Sequence, residues 1–238
     1  MTRLSVNVNK IATLRNARGG GVPDVVEAAV RIQEFGAHGI TVHPRPDARH
    51  ITYDDVRALR PVVYTEFNVE GYPSRDFLDL VLKVRPDQVT LVPDPPEALT
   101  SNAGWDTVRH AAFLQEVVME LRAAGMRVSL FLETEPRLAD AAAAVGADRI
   151  ELYTEPFAQG FPDPQAVVPF AEAAGYAHAQ GLGVNAGHDL NAANLPAFVH
   201  AVPHLAEVSI GHALIAEALY DGLEATVARY LACLQPRG

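Results

Sequence analysis

Eight short, apolar, β-branched runs recur along this chain, each followed by a longer amphipathic or alanine-rich run. That alternation limits the fold more than any other feature. The strand-like runs are Leu4–Val8, Gly39–His43, Val62–Val69, Gln88–Val92, Arg127–Leu132, Arg149–Tyr153, Gly183–Asn185 and Glu207–Ile210. Between them the spacing predicts helices over Asp24–Phe35, Tyr53–Leu59, Ser74–Val84, Thr107–Ala124, Pro136–Val145, Pro164–Gln180 and Leu195–Val202. Glycine follows several of these helices, at Gly36, Gly125, Gly146 and Gly181, as expected at the C′ position. Strand then helix, repeated, reads as parallel β/α units. Eight units favour a closed (β/α)8 TIM barrel over an open doubly wound sheet, whose strand count is usually smaller. No glycine-rich dinucleotide fingerprint follows the first strand to support the open sheet. No linker rich in Gly, Ser or Pro divides the chain, so residues 1–238 read as a single catalytic domain. After Gly211 the last stretch breaks at Asp221-Gly222 into a short helix, Ala213–Tyr220, and a longer one, Leu223–Leu234. A short extra helix after the eighth strand is a common phosphate site in such barrels.

Composition narrows the partners. A formal net charge of −10 argues against nucleic acid, yet leaves room for a locally positive pocket that takes small phosphorylated substrates. A lone cysteine, Cys233, allows no disulfide within the chain and suits a reducing cytoplasm. No apolar stretch is long enough to span a bilayer, and the start lacks the pattern of a signal peptide. The only lysines are Lys10 and Lys83, which makes Lys10, just past the first strand, worth following.

In a barrel of this kind, catalytic side chains sit at the C-terminal ends of strands and in the loops after them. Those ends read Asn7-Val-Asn9-Lys10, His43-Pro-Arg45, Asn68-Val-Glu70, Pro93-Asp94, Glu133, Glu151-Leu-Tyr153, Asn185-Ala-Gly-His188 and Gly211-His212. Strand alternation puts Asn7 with Asn9, Asn68 with Glu70, and Glu151 with Tyr153 on shared faces. Buried carboxylates are costly unless paired, so a polar rim on this scale points to an active site. The densest stretch is Gly39 to His50, where His43, Arg45, Arg49 and His50 are stiffened by Pro44 and Pro46. It suits an anionic ligand and proton transfer, with a solvated basic turn as the alternative.

His43, His188, His212, Glu70 and Glu151 supply general acids and bases whose pKa values burial can bring near neutrality. For Glu151 a paired structural acid and a direct chemical role are both open. Arg45, His50 and the backbone amides after Gly187 and Gly211 supply anion sites at two places around the mouth. Two such sites imply a bisphosphorylated substrate or two monophosphates to be joined. Pro95–Trp105, with Thr100, Ser101, Asn102 and Gly104, reads as a lid or as an unstructured loop. Thr13 to Arg18 reads as a polar loop, and Glu133 as a helix cap or a rim residue. His38, His110, His178, His200 and His204 fall on helical segments as surface or packing residues.

These residues resemble the pyridoxine 5′-phosphate synthase family, the ring-closing enzymes of deoxyxylulose-dependent vitamin B6 biosynthesis. The matching motifs are Ile11-Ala-Thr-Leu-Arg-Asn-Ala-Arg-Gly19, Gly39-Ile-Thr-Val-His43, Arg49-His-Ile-Thr52, Val184-Asn-Ala-Gly-His188 and Ile210-Gly-His212, in order along nearly the whole chain. The resemblance implies a cofactor-free, homo-octameric barrel that condenses 3-amino-2-oxopropyl phosphate with 1-deoxy-D-xylulose 5-phosphate. It implies His43 and Glu70 as proton acceptors, His188 as proton donor and Glu151 as a transition-state stabiliser. Asn7, Arg18, Asp189, Gly211 and His212 would hold the aminoketone phosphate, and Arg45, His50 and Thr100 the deoxyxylulose phosphate. The family's usual first-strand motif, Asn-Ile-Asp-His-Ile-Ala-Thr, reads Asn7-Val-Asn9-Lys10-Ile-Ala-Thr here, so Asn9 would bond a sugar hydroxyl and Lys10 a carbonyl or phosphate oxygen. Asp189 stands where the family usually has glycine. Rival readings are a metal-dependent hydrolase or isomerase using His43, His188 and His212, for which no His-x-His pair exists, and a non-catalytic sensor of a B6 phosphate.

Overall fold

A computed structural model of the protein describes residues 1–94 and 103–235. Its strands are β1 (Arg3–Asn7), β2 (Gly39–Val42), β3 (Glu66–Gly71), β4 (Gln88–Leu91), β5 (Arg127–Leu132), β6 (Arg149–Leu152), β7 (Gly183–Ala186) and β8 (Leu205–Ile210). They pair in parallel, in sequence order, and β8 closes on β1 with Arg3 opposite Glu207. The helices are α1 (Asn9–Asn16), α2 (Val25–Glu34), α3 (Tyr53–Leu59), α4 (Arg75–Val84), α5 (Ala111–Ala123), α6 (Pro136–Ala144), α7 (Glu155–Gly160), α8 (Val168–Ala179), α9 (Leu195–Ala201), α10 (His212–Asp221) and α11 (Leu223–Cys233). This is the (β/α)8 barrel that the alternation predicts, with α10 as the extra helix after β8. Among the described residues no helix is long and apolar enough to cross a membrane.

Each strand has two unlike faces. Leu4 and Val6, Ile40 and Val42, Phe67 and Val69, Val128 and Leu130 point outward and are fully buried in one continuous apolar shell beneath the helices. The inward residues of the lower bore are mostly polar. Ser5 Oγ and Thr41 Oγ1 lie 2.7 Å apart, Asn68 Nδ2 donates to Thr41, and Thr90 donates to Asn68 Oδ1 at 3.0 Å. At the floor, Glu66 takes Arg3 at 2.9 Å and also Arg127, while Arg149 donates to Asn185 at 3.0 Å. The main apolar core of this barrel is therefore its outer shell, and the bore is polar at its floor and middle, with Val92, Phe131 and Tyr153 forming a small apolar cluster near the mouth.

Several boundaries differ from expectation. The run from Val62 becomes strand only at Glu66, because the amides of Val62 and Val63 bond back to Leu59 O at the end of α3. Helix α5 starts at Ala111 rather than Thr107. β1 stops at Asn7 and Asn9 opens α1, so Asn7 and Asn9 do not share a strand face. The supposed polar loop from Thr13 is helical through Asn16. Glu133 does not cap α6; its N-cap position is Glu135, which makes no side-chain capping bond.

Candidate active site

The mouth of the barrel at the C-terminal strand ends encloses a cavity of about 780 Å³. Asn7, Asn9, Lys10, His43, Arg45 and His50 line one side, with Glu70 and Glu151 in the wall. His188, Asp189, Gly211 and His212 complete it, so residues from opposite ends of the chain share one chamber. Arg18, exposed just after α1, is not part of this lining, and Thr100 lies outside the described residues. The C-terminal end of the supposed lid is anchored: Trp105 is buried, its Nε1 donates to Leu91 O at 3.0 Å, and its ring stacks on Tyr72.

The first wall is held by side chains from α1. Asn9 Oδ1 accepts the His43 backbone N–H at 2.9 Å, which fixes the end of β2 and leaves the amide NH2 of Asn9 to donate to a ligand. Arg15 forks onto Asp55 at 2.5 and 2.9 Å, and Asn16 Nδ2 donates to His50 O at 2.9 Å. Asp55 also closes a capping box with Thr52 at the start of α3. Together these clamp the loop that carries His50. The imidazole of His50 accepts the Ile51 N–H at Nδ1, 2.9 Å, which leaves Nε2 for the cavity. Arg45 is buried and ion-paired to Asp94 at 2.8 Å.

On the other side, backbone takes the place of side chains. A Cβ on Gly187 would lie 2.2 Å from Ser209 O and 3.3 Å from Glu151 Oε1. A Cβ on Gly211 would press on Asn7 at 3.0 Å. Only glycine at 187 lets the end of β7 lie this close to β8 beside Glu151, and glycine at 211 gives the end of β8 room against Asn7 of β1. Gly211 is the N-cap of α10, so the first amides of that helix lie at the cavity edge near His212.

Burial sets the proton states. It pushes the Glu70 carboxyl up to about 8, helped by Asp94 and Glu207 and opposed by Arg45 and a bond from Ser209. It pushes Glu151 well above the carboxylate range, and Glu70 adds to the rise. Glu151 Oε2 has no hydrogen-bond partner among the described residues. His43 is held well below the ordinary imidazole range by burial, then by Arg45, His50 and Arg49. His50 is lowered to about 4 by burial, then by Arg45, Lys10 and Arg49. At neutral pH Glu70 and Glu151 thus tend to keep their protons while the His43 and His50 imidazoles are uncharged, with His43 Nδ1 3.9 Å from Glu70 Oε2. Nearby, Asn7 Nδ2 reaches the same Glu70 oxygen at 3.4 Å. Among the described residues no three His, Cys, Asp or Glu side chains are grouped to hold a metal ion.

Two departures concern residues the motifs did not resolve. Asp189, which stands where the family usually has glycine, sets its carboxylate 3.1 Å from His188 Nδ1. Glu155 and Gln159 from α7 also line the cavity. Their only sequence signal is Thr154-Glu155-Pro156 directly after the sixth strand, where proline fits the first helical turn.

The pyridoxal phosphate biosynthesis protein PdxJ family model matches residues 4–236. Pyridoxine 5′-phosphate synthase of Christiangramia forsetii is 60% identical, covering 99% of this chain and 100% of its own. The same-named protein of Bacteroides thetaiotaomicron is 58% identical with the same coverage. Among solved structures, phosphoribosyl anthranilate isomerase from Thermotoga maritima superposes with a TM-score of 0.63 at 14% identity over 98% of both chains, a likeness of fold alone. With a family model that spans residues 4–236 and relatives of this identity along its full length, the chain belongs to the PdxJ family of pyridoxal phosphate biosynthesis proteins.

Proposed function

We propose that this protein is a pyridoxine 5′-phosphate synthase, an enzyme that joins 3-amino-2-oxopropyl phosphate and 1-deoxy-D-xylulose 5-phosphate, releasing phosphate and water. The observation that carries this reading is one cavity in which four acid/base groups, Glu70, Glu151, His43 and His188, stand between two separate anion positions. Arg45, His50 and Lys10 form one, and hold the deoxyxylulose phosphate. The amides at Asp189 and Gly211, with His212 at the start of α10, form the other and hold the aminoketone phosphate, while Asn7 and Asn9 bond polar groups between them. Ring closure needs repeated proton transfers to and from carbon, nitrogen and hydroxyl oxygen. A proton-free His43 is ready to accept, and Glu70 follows once ionised. His188 donates, and Glu151, carrying its proton, hydrogen-bonds to oxygen where charge develops. Arg18 and Thr100 take their substrate roles from the family motifs. The two substrates contain the reacting carbonyls and amine, so the scheme needs no cofactor.

Residues 1–238 act as a single catalytic domain in the cytoplasm and assemble as a homo-octamer. Exposed Leu219 and Tyr220 on α10, and Phe113 and Met119 on α5, are apolar surface that subunit contacts would cover. Incubating the purified protein with both substrates and following pyridoxine phosphate absorbance together with phosphate release tests the activity. Phosphate release and ring formation in equal amounts are expected; neither product forming overturns the reading.

A further inference from the structure

His188 carries a carboxylate of its own. Asp189 Oδ2 lies 3.1 Å from His188 Nδ1, and the backbone around the pair is pinned from two sides. Thr154 Oγ1 donates to His188 O, and Asn194 Nδ2 donates to Asp189 O at 3.2 Å. The edge of the imidazole packs against Tyr153, ring centres 5.4 Å apart. Asp189 adopts a left-handed backbone, φ +64°, where an L side chain is uncommon. The chain thus accepts an unfavoured conformation that sets this carboxylate against the ring. A carboxylate aimed at a bound phosphate would repel it; aimed at Nδ1, it does not.

We propose that Asp189 is a positioning residue for His188: it accepts the Nδ1 hydrogen and fixes the tautomer that turns Nε2, the nitrogen of the proton-donor step, to the cavity. The donor step rests on the synthase reading above, whereas the pairing itself does not. Other charged and titratable groups face the same space. From neighbouring elements these are Tyr153 and Glu151 on the β6 side, Glu155 on α7 and His212 on α10. Across the mouth stand Lys10, His43, Arg45, His50 and Glu70. Glu155 is the one most able to mimic the effect, so its substitution is the control.

Long-range ¹H–¹⁵N NMR spectra of the ligand-free protein, which distinguish a hydrogen on Nδ1 from one on Nε2, test this, with the His188 signals assigned through His188→Gln. The His188 ring of the parent protein is expected to carry its tautomeric hydrogen on Nδ1, and Asp189→Asn should move that population several-fold toward Nε2 while Glu155→Gln leaves it in place. In Asp189→Asn kcat should fall several-fold with little change in KM for the aminoketone phosphate. A hydrogen on Nε2 in the parent protein, an unchanged tautomer in Asp189→Asn, or an equal change in Glu155→Gln overturns the proposal. So does a lowered KM for the aminoketone phosphate with kcat fixed, which would turn the carboxylate toward phosphate. Asp189→Gly, which relieves the backbone, should shift the tautomer as Asp189→Asn does; a parent-like tautomer there overturns the proposal in favour of backbone shape. If the parent protein makes no pyridoxine phosphate, the synthase reading fails while the NMR spectra still decide the pairing.

Discussion

Glu70 sits where its chemistry and its cost are the same fact. Its pKa is raised from 4.5 to about 8 chiefly by burial, so folding takes up a proton between those limits. The stability it contributes is fully present below the ordinary carboxylate range and is lost as pH rises through about 8. Glu70→Gln should therefore flatten the fall in Tm between roughly pH 5 and 8 while lowering kcat about 10²- to 10⁴-fold, as loss of an acid/base group does. A Tm profile as steep as the parent's would show that Glu70 is not the buried acid titrating there. Lys10 presents the opposite case. It is exposed in the first turn of α1, and an amine serves as a nucleophile when desolvation keeps it unprotonated. We propose an electrostatic role for it, so borohydride treatment with deoxyxylulose phosphate should leave no substrate-mass adduct on Lys10 by mass spectrometry; such an adduct would make it a Schiff-base lysine instead.

Helix α1 is the element least visible beforehand and among the most consequential. It buries only Ala12, so it has no apolar stripe to announce it. What it presents instead are Arg15 and Asn16, polar side chains that hold the His50 loop. Arg15→Ala removes the fork to Asp55, whose partners are both largely buried, and should cost about 1–3 kcal/mol. Its kinetic mark should be a several-fold rise in KM for deoxyxylulose phosphate with a smaller change in kcat, because the loop loosens while the acid/base groups stay. An unchanged KM would separate α1 from substrate binding. Helix α7 escaped prediction for a related reason: it is short, and Phe157 is its only buried residue.

Across the whole molecule, stability and reactivity occupy different shells. The apolar contacts lie between strands and helices, which leaves the bore free to carry Arg3, Glu66, Arg127 and Arg149 below the reacting groups. Glu66→Gln would leave two guanidiniums around the floor without their shared counter-charge. Unfolding in urea should show a loss of about 2–3 kcal/mol, less than for a fully buried pair because Arg3 is 41% exposed. A neutral outcome would mean that solvent, not Glu66, balances the floor.

The alternation of runs settled the barrel, and the polar residues at strand ends marked which of its two mouths does chemistry. Both signals are local, a backbone preference and a period of two, so they can be read along the chain. The strand ends likewise picked out His43, Glu70, Glu151 and His188 before any distance was known. Only the closed barrel decided that Glu70 and Glu151 hold protons while His43 and His50 do not, that Asn9 spends an oxygen on the neighbouring strand, and that Asp189 faces an imidazole. Desolvation and hydrogen bonding depend on which groups from distant parts of the chain meet in one small space, and that meeting is made by closure of the sheet.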